Sequence, residues 1–172
     1  MEFQSCFDII GPIMVGPSSS HTAGVVSIGR FIHELLGGCP KEANIIFYDS
    51  FAQTYQGHGT DKALLGGLLG MDTDDPRIKY ALELAYGQGL DYTLNLEENC
   101  AYFEHPNTTI VTARRGENVV KVGGASLGGG LSKVFMIDGK TVDIRLSTSE
   151  DLSVIAKKYP QYRMRKVLMG DV

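Results

Sequence analysis

The segment Gly16-Pro17-Ser18-Ser19-Ser20-His21-Thr22-Ala23-Gly24 places three serines, an imidazole and a threonine immediately before an apolar helical pattern. Hydroxyls, an imidazole and the free N–H groups of a first helical turn would converge on one small volume, which suits a compact anion such as a carboxylate. Ser18, Ser19 or Ser20 is expected to cap the helix. The positive end of that helix disfavours imidazolium, so His21 is expected to be neutral, able to accept a proton or donate one hydrogen bond. A serine-rich loop with an ordinary cap would account for the same residues, and spacing alone leaves the two readings level.

Gly57-His58-Gly59-Thr60-Asp61-Lys62 is a second segment of this kind, with glycines on both sides of a histidine and an apolar pattern following. Backbone and ring could both meet a ligand there. Thr60 or Asp61 is expected as the N-cap, and Lys62 offers a cation for a carboxylate. A capped turn is the plain alternative. The order G-x-x-x-x-G-K-[ST] is absent, which gives phosphate-cradling nucleotide chemistry little weight. A third segment, Gly123-Gly124-Ala125-Ser126-Leu127-Gly128-Gly129-Gly130, reads as a link leaving one strand and entering another. Its glycine density implies close backbone approach, with Ser126 in packing rather than ligand contact. His33, inside a helical pattern, and His105, in a turn, read as structural.

The elements that must position these residues follow from periodicity. Val25, Ile28, Ile32 and Leu35 predict a helix over 22–36, stopped by Gly37-Gly38. Residues 44–49 read as a strand whose polar end, Asp49-Ser50, is expected to face the site. A short helix starts at Thr60 or Asp61 and ends near Gly70. Asp75-Pro76 reads as an N-cap with proline at the first helical position, opening a helix over 77–86. Strands are predicted over 92–96, 108–114, 119–122, 133–137 and 141–145, with Asp138-Gly139 supplying a hairpin turn. Ser147-Thr148-Ser149-Glu150 has capping-box spacing and predicts a last helix up to Pro160. The expectation is a single α/β (α+β) domain over 1–146, a mixed sheet with helices, followed by a helix and tail over 147–172.

Composition narrows the function classes. In 172 residues, 43% are hydrophobic and 21% charged, which suits one folded core. The net charge of -4 and the lack of a basic stripe interleaved with aromatics argue against a nucleic-acid partner. Cys6, Cys39 and Cys100 are widely spaced with no C-x-x-C pair, so no metal site of this chain's own is expected, and a reducing cytoplasm fits. No stretch approaches the length of a membrane span and no secretory leader is recognisable, so a soluble protein is expected.

Together, Phe7-Asp8-Ile9-Ile10-Gly11-Pro12, the segment from Gly16 to Thr22, Gly57-His58-Gly59-Thr60-Asp61-Lys62-Ala63 and Ser126-Leu127-Gly128-Gly129-Gly130 resemble the β chain or β domain of the iron-sulfur-dependent bacterial L-serine dehydratases. The resemblance runs from about Phe7 to Arg145 in the family's order. It implies a fold similar to the allosteric substrate-binding domain of some phosphoglycerate dehydrogenases, and a separate α chain holding a 4Fe-4S cluster. Too few cysteines for such a cluster stand in this chain, in accord with that division.

The resemblance further implies conversion of L-serine to pyruvate and ammonia. By that resemblance, serine's hydroxyl would meet an open iron acting as Lewis acid, a base would remove the α proton, the hydroxyl would depart as water, and the aminoacrylate product would rearrange and hydrolyse. The expected site consists of His21 and His58 for proton transfer or orientation, with Ser18, Ser20, Thr22 and Thr60 on the substrate carboxylate or its neighbours. Asp61 and Lys62 would set the pocket's charge. Which histidine is the base, and whether a partner supplies it instead, stays open here. The resemblance implies that two-chain relatives commonly carry an ACT regulatory domain; none is expected in the residues after Leu146, which fits either a truncated chain or a short family member. The readings of another class are a non-catalytic effector-binding module or a dimerisation subunit, the latter favoured by the glycines at 123–130.

Overall fold

The structure is a computed structural model that describes residues 19–159. The Phe7–Pro12 motif, Ser18, Cys6 and the basic segment after Pro160 lie outside the described residues, as do the side chains of Ser19 and Ser20.

A π-helical turn, Ser19–Ala23, runs directly into helix α1, Gly24–Leu36. The chain continues through β1 (Glu42–Tyr48), α2 (Asp49–His58), α3 (Thr60–Leu68), a 3-10 helix (Pro76–Tyr80) and α4 (Ala81–Gly87). The strands β2 (Asp91–Glu97), β3 (Asn107–Arg115), β4 (Asn118–Gly128), β5 (Leu131–Ile137) and β6 (Lys140–Ser147) follow, and α5 (Leu152–Lys157) closes the described chain. The strands form one sheet in the order β2-β1-β3-β4-β5-β6. Only β1 and β2 pair in parallel, and the others are antiparallel. A parallel pair needs a crossover rather than a hairpin, and α2 to α4 provide it. The fold is therefore α+β with a mixed sheet, as expected.

Val25, Ile28, Phe31, Ile32 and Leu35 of α1 are buried against Phe47, Val111, Val122, Val134 and Leu146 of the sheet. Leu152 and Ala156 of α5 join this core. The opposite face of the sheet is partly covered by the segment after β2, where Phe103 stacks on Phe135 with ring centroids 4.7 Å apart. Glycine sets how closely α1 approaches its neighbours. A Cβ on Gly67 of α3 would overlap the Val26 carbonyl and lie 2.8 Å from the Arg30 nitrogen, while one on Gly29 would lie 2.6 Å from the Leu64 carbonyl.

Several local expectations are corrected. Helix α2 was not foreseen, because its sequence is polar and only Phe51 is fully buried. His58 is thus the last residue of a helix rather than part of a turn. Gly59, at φ +66°, breaks α2 from α3 and stands at the N-cap, so neither Thr60 nor Asp61 caps α3. At the start of α1 a π turn precedes the helix and Ala23, at the boundary, makes no side-chain cap, while the side chains of the expected caps Ser18, Ser19 and Ser20 lie outside the described residues. The predicted 77–86 helix begins as 3-10, with Asp75 capping through its carboxylate to the Arg77 N–H at 2.9 Å. Asp151 rather than Ser147 caps α5, accepting from the Ser153 N–H, and Ser147 spends its hydroxyl in a turn with Ser149.

The glycine segment does lead from one strand into the next, but most of it belongs to β4, which continues through Gly128, and Gly129-Gly130 alone form the turn into β5. Close approach does occur at Gly124, where a Cβ would lie 2.8 Å from Ile28, and at Gly24, where it would overlap the Ser126 hydroxyl. The Asp138-Gly139 hairpin turn is present, with φ of +50° and +78°.

Candidate active site

The two histidine segments meet. Residues 19–23 depart from α-helical geometry, and the π turn carries His21 toward the end of α2. The ring centroids of His21 and His58 lie 4.4 Å apart at an interplanar angle of 65°. Thr22 ties the segments covalently distant in sequence: its hydroxyl donates to the His58 backbone carbonyl at 3.2 Å. That carbonyl belongs to the last turn of α2 and would otherwise lack an intrahelical donor. The Gly59 break makes this possible by turning the chain sharply after His58.

His21 is 9% exposed and has Phe51 edge-on at 5.3 Å between ring centroids. Its Nε2 lies 3.1 Å from the Ser50 hydroxyl oxygen, a hydrogen bond whose direction depends on the imidazole tautomer. Burial, and secondarily the His58 imidazole, hold His21 below the ordinary histidine value. The shift runs in the direction expected for His21, but burial and then His58 cause it, in place of the helix end that the sequence suggested. β1 ends at Tyr48, one residue earlier than expected, and of the two polar residues after it Ser50 faces the site through its hydroxyl.

His58 is half-buried, and its Nδ1 is buried without a hydrogen-bond partner among the described residues. Thr60 is fully buried, and its hydroxyl oxygen is likewise unpartnered. These are the groups the described site leaves uncommitted, and an unmet buried polar atom is costly. Asp61 is engaged locally: its carboxylate accepts from the Lys62 N–H at 2.8 Å. Burial pushes the Asp61 carboxyl up, opposed by the bond from Lys62 and by that residue's charge. An anion approaching the start of α3 therefore finds the Lys62 N–H already occupied. No described atom lies within 4 Å of where a Gly57 Cβ would sit, so the chain is open beside His58.

Ser50 and Phe51 are the contributors that sequence reasoning did not place among the site residues. The polar strand end was the available signal for Ser50, whereas Phe51 needed the unforeseen helix. Ser126 is buried against Gly24 and pairs across the sheet with Ser132, in keeping with packing. His33 Nδ1 bonds the Leu68 carbonyl at 2.8 Å, and His105 Nδ1 accepts from the Asn107 N–H at 3.1 Å. Both serve local structure.

The described thiols do not form a cluster site. Cys39 lies in the turn before β1 and bonds the Pro40 carbonyl, whereas Cys100 packs beside Tyr48 at the other end of that strand. At a strand rise of about 3.3 Å per residue the two stand roughly 20 Å apart or more. Among the described residues no group of three or more His, Cys, Asp or Glu side chains could hold a metal ion.

The site thus defines an α+β domain with two imidazoles in contact at a helix break. Residues 5–133 match the family described as serine dehydratase beta chain, and the chain belongs to that family. It is 46% identical over 147 residues to the probable L-serine dehydratase, beta chain, of Bacillus subtilis, covering 86% of this chain and 65% of the relative. It is 40% identical over 164 residues to the L-serine dehydratase, beta chain, of Peptoniphilus asaccharolyticus, covering 92% and 70%. A shorter stretch of 76 residues is 41% identical to the L-serine dehydratase TdcG of Escherichia coli, covering 41% of this chain and 16% of the relative. The chain spans about two thirds of the length of the two beta chains it matches. Among the described residues no helix is long and apolar enough to cross a membrane.

Proposed function

We propose that this chain is the β subunit of an iron-sulfur-dependent L-serine dehydratase, forming pyruvate and ammonia together with an α chain that holds the 4Fe-4S cluster. The observation that carries this reading is the contact between His21 and His58, which brings together the two motifs of the family resemblance. The steps assigned to this chain are substrate binding and proton handling.

Removing the α proton of serine requires a base that is unprotonated near neutral pH. Burial, and after it the neighbouring His58, hold the His21 imidazole below its ordinary value, which favours an unprotonated ring in the pair. His58 is assigned as the acceptor, since its Nδ1 is uncommitted, with His21 as the partner that orients it. Thr60, whose buried hydroxyl lacks a partner, is assigned to the substrate carboxylate together with Ser18 and Ser20. Thr22 holds the His58 carbonyl, and Asp61 and Lys62 set the local charge. A cytoplasmic location accords with a dehydratase of amino-acid degradation.

The test is reconstitution of this chain with an α chain carrying an intact cluster, with pyruvate formation from L-serine as the readout. His21→Ala and His58→Ala are each expected to lower kcat by about two orders of magnitude or more, in the range of general acid–base contributions. Full activity of the α chain alone, or of the double variant, would overturn the assignment.

A further inference from the structure

We propose that Ser50 is a positioning residue for the imidazole pair, its hydroxyl fixing the orientation of the His21 ring from the junction of β1 and α2. This rests on the proposed role of His21 and His58. Strand β1 ends at Tyr48 and α2 begins at Asp49, so strand turns into helix with no linker. Asp49 accomplishes the turn at φ +47°, a left-handed conformation uncommon for residues with a Cβ and, among them, most open to Asp and Asn.

Asp49 forms a bridge with Asn107, and the Ser50 N–H donates to the Pro106 carbonyl at 3.0 Å. The Ser50 carbonyl accepts from the Thr54 hydroxyl at 2.6 Å. With its N–H committed to the segment just before β3 and its carbonyl to its own helix, the backbone of Ser50 is held on both sides of the junction. Its hydroxyl then meets His21 Nε2 at 3.1 Å, while Phe51, the next residue, packs edge-on against the same ring. Ring nitrogen and ring carbon differ in their attraction for a hydroxyl, so a flip of the imidazole would forfeit the bond. His58 completes the enclosure on a further side. The junction thus delivers one hydrogen bond and one aromatic contact to His21 from two consecutive residues.

The experiment has two readouts on Ser50→Ala and Ser50→Thr. The first is the imidazole 15N spectrum of the full chain labelled in histidine. Ser50→Ala is expected to displace the His21 Nε2 resonance, and Ser50→Thr, which keeps a hydroxyl, to retain it. The second is L-serine turnover in the complex with the α chain, where Ser50→Ala is expected to lower kcat about tenfold with KM little changed, and Ser50→Thr to recover most of it. An unmoved resonance, a wild-type kcat in Ser50→Ala, or equal loss in both variants would overturn the positioning role. A His21→Ala complex with full activity would instead overturn the reading of the pair, even with the Ser50-dependent resonance intact.

Discussion

His21 and His58 stand 4.4 Å apart between ring centroids, although one belongs to a π turn ahead of α1 and the other ends α2. Neither helix alone would aim its imidazole there. The contact depends on the unwound geometry before Gly24, on the Gly59 break, and on the Thr22 hydroxyl that pins the His58 carbonyl. The pair is therefore a product of three local features acting across the junction, and each can be perturbed separately.

Acid should weaken the fold through His21. Its folded value lies below the unfolded one near 6.5, so the unfolded chain binds the proton first as pH falls. The stabilisation is fully present above about pH 6.5 and is lost as pH drops through the window below it. Burial places His105 below its ordinary value as well, with the same sign. Urea unfolding at about pH 5.5 and 7.5 should show higher stability at the upper value, and His21→Gln should flatten part of that difference.

Replacing Thr22 by valine keeps the shape and deletes the donor to the His58 carbonyl. The expected loss of stability is about 1 kcal/mol, the usual net worth of one such bond. Turnover by the complex should fall further than that loss of stability would suggest, because the bond joins the two halves of the pair. Wild-type turnover in a folded Thr22→Val complex would show that the bond has no part in the site.

Gly67→Ala and Gly57→Ala should separate by sign. The first places a methyl group into the backbone of α1 and should destabilise by about 1–3 kcal/mol, as overpacking does. The second adds a methyl group into open space inside a helix and should leave stability unchanged or raise it by about 0.5–1 kcal/mol. Thermal denaturation of the two variants provides the comparison. A neutral Gly67→Ala would mean that α1 and α3 can separate without penalty.

Serine at all three cysteines, Cys6, Cys39 and Cys100, should leave the iron content of the complex unchanged, since the cluster is assigned to the α chain. Iron analysis and the visible absorption of the purified complex are the measurements. Loss of iron in this variant would place a ligand on the present chain and overturn that assignment.

Much of the fold was legible because the core elements carry strong periodicity. Val25, Ile28, Ile32 and Leu35 mark one buried face of α1, and β-branched runs together with Asp138-Gly139 mark the strands and their hairpin. Helix α2 was hidden because only Phe51 is fully buried in it, so its sequence lacks an apolar stripe. Caps were misplaced at α3 and α5 for a related reason. Thr60, Ser147 and Asp151 are all competent cap residues, and the choice among them is made by the turn preceding each helix rather than by residue type.

The sequence by itself determined that two histidine segments are present, each beside residues able to bind an anion, and that one mixed sheet must support them. Residue type and spacing suffice for that, since they set propensity and chemistry locally. Only the tertiary structure decided that the imidazoles touch, that Thr22 serves a backbone carbonyl, and that Ser50 and Phe51 enclose His21. Those relationships depend on a π turn, a left-handed Asp49 and the pairing of β1 with β3, whose energies are summed over contacts far apart in the chain.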